Sequence, residues 1–106
     1  MKMLTLSLVA LSVLVGFAPV ADADSSADYL SILDTAKVSY SNPTTAINIG
    51  NSICQKLHSN AAPEVAAQAA VDAGYGGETA GRILYAASHA LCPDTAAAVD
   101  KWGSTP

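Results

Sequence analysis

Residues 42–58 read NPTTAINIGNSICQKLH, and the fold class turns on this stretch. Asn42 can cap a helix with its side-chain oxygen, and Pro43 is tolerated at the first helical position, where an intrahelical N–H bond is not needed. From there Ala46, Ile49, Ile53 and Leu57 recur at helical spacing, with Ile47 and Cys54 beside them. The segment therefore reads as a helix reaching about His58 with one apolar side. Gly50 stands in its interior, where glycine costs roughly 1 kcal/mol against alanine. A glycine there points to a close helix crossing.

On the N-terminal side, Val38, Ser39 and Tyr40 read as extended, and a first helix precedes them. Ser25 and Ser26 can cap it, Asp28 lies in its first turn where the helix dipole favours an acid, and Tyr29, Leu33 and Ala36 form its stripe to about residue 36. On the C-terminal side, a thin Ala- and Val-rich helix runs from Pro63-Glu64 to Ala73, and Gly74 can close it in a left-handed cap. Gly74-Tyr75-Gly76-Gly77 reads as a turn. A fourth helix is expected from about Glu78 to Leu91, with Ala80, Leu84, Ala87 and Leu91 at helical spacing, and Cys92-Pro93 breaks it. Asp94 to Trp102 can form a short last helix before Gly103. Strand alternation, heptads and internal repeats are missing from the sequence. The expected fold is all-α, a compact bundle of four to five short helices.

The first twenty residues have a different character. Met1-Lys2 is a short positive start, Met3 to Phe17 is apolar apart from Thr5, Ser7, Ser12 and Gly16, and Ala21-Asp22-Ala23 places small residues where a signal peptidase reads. The apolar run falls short of the 18 or so residues that span a bilayer. The expectation is a cleavable signal peptide over 1–23 and a single helical domain over 24–106, secreted or at the cell envelope, without stable membrane insertion after cleavage. Nine acids against five scattered bases give a formal net charge of −4. Nucleic-acid binding needs clustered Lys and Arg, so it is excluded.

A small core built largely on alanine needs a staple. Cys54 and Cys92 are the only cysteines, and in an exported chain a disulfide between them is the default. In the chain-entropy picture a loop of that size is worth roughly 4 kcal/mol. The same cysteines form a competing pattern. Cys54 and His58 are spaced i, i+4, and His89 and Cys92 i, i+3, so the four could make a tetrahedral Cys2His2 metal site if the thiols stayed reduced. Ser88-His89 lacks the nucleophile elbow of a hydrolase, and the turn before Glu78 lacks the Lys and spacing of a phosphate-binding loop. No catalytic residues are assigned and no cofactor is expected. Tyr29, Tyr40, Tyr85 and Trp102 read as packing residues, with Tyr29 and Leu84 buried. Tyr75, with glycine on both sides, reads as an exposed loop tip and the candidate contact residue.

Taken in order, Asp28-Tyr29-Leu30, Leu33-Asp34, Val38-Ser39-Tyr40-Ser41-Asn42-Pro43, Ala46-Ile47, Gly50 and Cys54, then the Gly74–Gly77 turn, an Ala-rich helix and Cys92-Pro93, make a recognisable series. It resembles the small secreted mycobacterial proteins grouped as domain-of-unknown-function family 732. The resemblance covers about residues 27–93 and leaves 94–106 as a C-terminal extension. It implies export, a helical fold and a bond between Cys54 and Cys92, and it implies no catalytic residues. His58 and His89 are not part of its pattern.

The expected function is accordingly non-enzymatic: a secreted or envelope-associated protein acting by contact with an unidentified protein or cell-wall partner. The alternative is a carrier of a small apolar ligand or haem between Ala-lined helices. An apolar pocket of roughly 300 Å³ or more with a histidine at its mouth would favour it. A Cys2His2 metal-binding protein is the third reading.

Overall fold

The computed structural model of the chain describes residues 25–104. The expected signal peptide, 1–23, lies outside the described residues. Residues 25–35 are helical (α1). They are followed by α2 (Pro43–His58), α3 (Pro63–Asp72) and α4 (Gly77–Ala86). A π-turn over Ala87–Leu91 and a 3-10 turn over Pro93–Thr95 then lead into α5 (Ala96–Gly103). The described residues are all-α and contain no strand.

The local chemistry of the helix ends is consistent along the chain. The Asn42 Oδ1 accepts the Thr45 N–H at 2.8 Å, with Pro43 at the next position, as the sequence indicates. The first three helices end alike, each with a left-handed residue and paired back-bonds to orphan carbonyls. At Lys37 (φ 64°) the Val38 N–H reaches the Leu33 carbonyl and the Lys37 N–H reaches Asp34. Asn60 (φ 68°) and Gly74 (φ 105°) close α2 and α3 in the same way. Only the last of the three is a glycine, so Lys37 and Asn60 adopt a conformation that L side chains disfavour.

The core is formed by one face of each helix. Tyr29, Leu33, Ile53, Ile83 and Leu84 are fully buried, as expected for Tyr29 and Leu84. The thin helix α3 contributes Ala66, Ala67 and Ala70 and lies against both α2 and α4. Gly50 carries the close crossing that its position implies. A Cβ there would come within 2.6 Å of Leu91 Cδ1 and 2.7 Å of Tyr29 Cζ. The Tyr29 ring lies across this notch, and its hydroxyl donates to the Ala46 carbonyl at 2.7 Å. Burial, reinforced by the Tyr75 phenol, pushes the Tyr29 hydroxyl far above the ordinary phenol range. Among the described residues no buried side-chain nitrogen or oxygen lacks a hydrogen-bond partner.

The expected fourth helix, Glu78 to Leu91, is not continuous. Its regular part ends at Ala86, and the Cys92 N–H bonds to the Ala87 carbonyl five residues back. This wider turn lies where the chain meets α2: Leu91 abuts Gly50, and Cys92 joins Cys54. Apolar spacing alone does not reveal such a turn, because Ala87 remains buried on the same stripe. The last expected helix also begins later, with a 3-10 turn before α5. Among the described residues no helix is long and apolar enough to cross a membrane.

Candidate functional site

Cys54 and Cys92 are bonded to each other, with Cα atoms 5.9 Å apart, and tie the fourth turn of α2 to the end of the π-turn. The Thr95 hydroxyl donates to the Cys92 carbonyl at 2.7 Å, continuing the tie into the 3-10 turn. This bond overturns the Cys2His2 alternative, since sulfurs in a disulfide offer no thiolate to a metal. The histidines are engaged elsewhere as well. His58 Nε2 lies 3.0 Å from an Asp94 oxygen, and His89 Nε2 lies 2.8 Å from Asp100 Oδ1. Among the described residues no group of three or more His, Cys, Asp or Glu side chains is arranged to hold a metal ion.

These two pairs fasten the C-terminal segment to the bundle. Asp94 is held by α2 and Asp100 by the π-turn, while the Trp102 indole N–H donates to Glu64 in the first turn of α3 at 3.0 Å. Val99 is the buried apolar anchor of α5.

Tyr75 is not the exposed tip that its flanking glycines suggest. It is half-buried against the core, and its hydroxyl donates to the Ser39 carbonyl at 2.8 Å. The cause is the cap of α3. With Gly74 left-handed, the next residue is turned back toward the helix end, and the Tyr75 N–H bonds to the Ala70 carbonyl.

Among the described residues the exposed aromatics are Tyr85, at 49% relative exposure, and Trp102, at 38%, which the sequence reading placed among the packing residues. Tyr85 is one step off the buried Ala80–Leu84–Ala87 stripe, and that offset is the sequence signal that could have identified it. Two shallow depressions meet at Gly81 and Tyr85. One of about 340 Å³ is walled by Ile32, Ala36, Glu78 and Arg82, and the other, about 410 Å³, by Val99, Asp100, Trp102 and Ser104. Between them α4 has no side chain at Gly81, where a Cβ would meet nothing within 4 Å. Near this face Glu78 pairs with Arg82 at 2.8 Å, and the His89 ring is hydrogen-bonded to Asp100 at 2.8 Å. The Tyr85 and His89 rings stack with centroids 4.2 Å apart.

A third depression, about 460 Å³, is lined by Leu57, His58, Asn60, Pro63, Asp94 and Ala98. It contains a histidine, but an aspartate faces that histidine.

A family model described as "Protein of unknown function (DUF732)" matches residues 21–94. It ends at Asp94, so α5, with Asp100 and Trp102 that fasten it to His89 and Glu64, lies past the matched block. No curated protein and no solved structure matches the chain.

Proposed function

The chain belongs to the DUF732 family of proteins of unknown function, and on that footing we propose that it is an exported protein, secreted or held at the cell envelope, that acts by contact rather than by catalysis. The observation that carries this reading is the outer face of α4. Around its bare backbone at Gly81 stand two exposed aromatics, Tyr85 of α4 itself and Trp102 of the neighbouring α5, with Glu78 and Arg82 paired beside them. Exposed aromatic side chains of this kind are enriched at contact surfaces. The Cys54–Cys92 bond supports export, because structural disulfides persist in oxidising compartments.

The test has two parts. Fractionation of the native culture should place the protein in the medium or envelope with an N-terminus at Asp24, and a cytosolic pool starting at Met1 would overturn export. A photo-crosslinking amino acid in place of Trp102 should yield defined adducts with a protein or a cell-wall component. An absence of adducts in intact cells would overturn contact through this face.

A further inference from the structure

Both histidines of the chain serve one segment. His58 stands at the end of α2 and His89 in the π-turn, yet each pairs with an aspartate of the stretch Pro93–Gly103. His58 Nε2 lies 3.0 Å from Asp94, where the stretch begins, and His89 Nε2 lies 2.8 Å from Asp100, near its end. Asp94 precedes α5 and Asp100 lies within it, so the two pairs hold the stretch at two separate points. Trp102 adds its bond to Glu64 of α3.

The apolar hold of this stretch on the bundle is slight. Among the described residues Val99 alone of α5 is buried, and a helix of eight residues is not stable by itself in water. α5 thus lies across α3, α4 and the π-turn on one apolar anchor, and the bonds at its edges weigh heavily in how often it lifts. Elements with few buried apolar contacts open most easily. A surface depends on its position. The depression of about 410 Å³ has Gly81 and Tyr85 of α4 on one side and Val99, Asp100 and Trp102 of α5 on the other, so it is complete only while α5 lies down.

A neutral imidazole gives a carboxylate one ordinary hydrogen bond, whereas an imidazolium gives it a charge-assisted bond about twice as strong. Histidine ordinarily changes charge between pH 5 and 8, a range in which aspartate is ordinarily ionised throughout. Both pairs therefore tighten as pH falls from 8 towards 5.5 and slacken as it rises. Among the described residues, the other charged side chains on the elements around them are Asp28 and Asp34 of α1, Lys56 of α2, Glu64 and Asp72 of α3, Glu78 and Arg82 of α4, and Lys101 of α5. None is of a type that ordinarily titrates in that range, nor is the Tyr85 phenol stacked on His89. We propose that Pro93–Gly103 is a strap closed by protonation. With His58 and His89 charged it lies down and completes the depression between Tyr85 and Trp102, and with both neutral it lifts more often.

Amide exchange followed by NMR on the whole protein, disulfide intact, tests this. Each α5 rate is divided by that of an unstructured amide at the same pH, so that only opening is read, with the buried amides of α2 as the reference. Both pairs are partly exposed, which keeps each contribution modest, and protection across α5 should be roughly three- to tenfold greater at pH 5.5 than at pH 8. In the double variant His58→Gln, His89→Gln, each side chain can still donate but no ring titrates, and α5 protection should be equal at the two pH values. Asp94→Asn with Asp100→Asn, which removes the charged acceptors instead, should flatten the profile as well. Circular dichroism checks that each variant keeps its helices. A parent with the same α5 protection at both pH values overturns the proposal. So does a pH dependence that survives in both double variants, because a fastening with no part in proton sensing would lower protection equally at either pH and leave the ratio unchanged.

Discussion

Gly50 and Gly81 are the same residue in the same setting, the interior of an amphipathic helix, and they mean opposite things. At Gly50 the space of a missing side chain is filled from within by Tyr29 and Leu91, so the glycine serves the fold. At Gly81 the space is open to solvent and flanked by exposed aromatics, so the glycine weakens its helix without serving the packing of the monomer. Among the described residues nothing offsets that local cost. The two positions also divide the molecule: α1, α2 and the π-turn close around one notch, and α4 presents the other to the outside.

The comparison can be broken most forcefully at the bond that holds the closed side together. Replacing Cys54 and Cys92 by Ser should lower unfolding free energy by about 2–5 kcal/mol in chemical denaturation. A double variant that melts like the parent would show that helix packing at Gly50 suffices without the staple. Next comes the inner notch itself. Gly50→Ala should destabilise by about 1–3 kcal/mol, since the new methyl must displace a buried ring anchored by a hydrogen bond, and better helix propensity offsets only part of this. The same change outside should have the opposite sign. Gly81→Ala should raise the stability of the monomer by up to about 1 kcal/mol, because its methyl meets nothing. Equal effects at the two sites would remove the distinction drawn here.

A smaller effect sharpens the inner notch further. Tyr29→Phe should lose about 1 kcal/mol near neutral pH with its hydrogen bond to Ala46. It should also alter the alkaline limb of stability. Burial raises the Tyr29 phenol far above its ordinary 10.0, so the unfolded chain ionises there first while the folded state holds the phenol neutral. The stability contributed by the neutral phenol is complete below pH 10 and declines as pH rises above it. In the Phe variant this part of the decline should vanish, which denaturation at a series of alkaline pH values would reveal. The smallest effect belongs to the outer fastenings. His58 and Asp94 are both more than half exposed, so Asp94→Asn should change stability by less than about 1 kcal/mol.

How far the sequence could be read depended on the range of the forces involved. The Asn42 cap, the Pro43 start, the apolar stripes and the turn at Gly74 are decided by neighbours a few residues away, and all are legible as local pattern. Gly50 was legible too, because an interior glycine on an apolar face needs a close neighbour even when the neighbour is unknown. The Cys54–Cys92 pairing followed from there being two cysteines in a chain read as exported.

Tertiary packing decided the rest. Which side of α4 stays bare depends on where α1 and α5 come to lie: Tyr85, one step off the buried stripe, is exposed, whereas Ile83, one step off on the other side, is buried. Tyr75 was misread because the left-handed cap that frees Gly74 also swings the next residue inward. The π-turn at Ala87–Leu91 arises where the end of α4 must meet both Gly50 and Cys54, a constraint set 33 or more positions away. Helix and cap follow from energies between near neighbours in the chain. The uncovered face follows from where whole helices settle against one another, and no stretch of sequence contains that by itself.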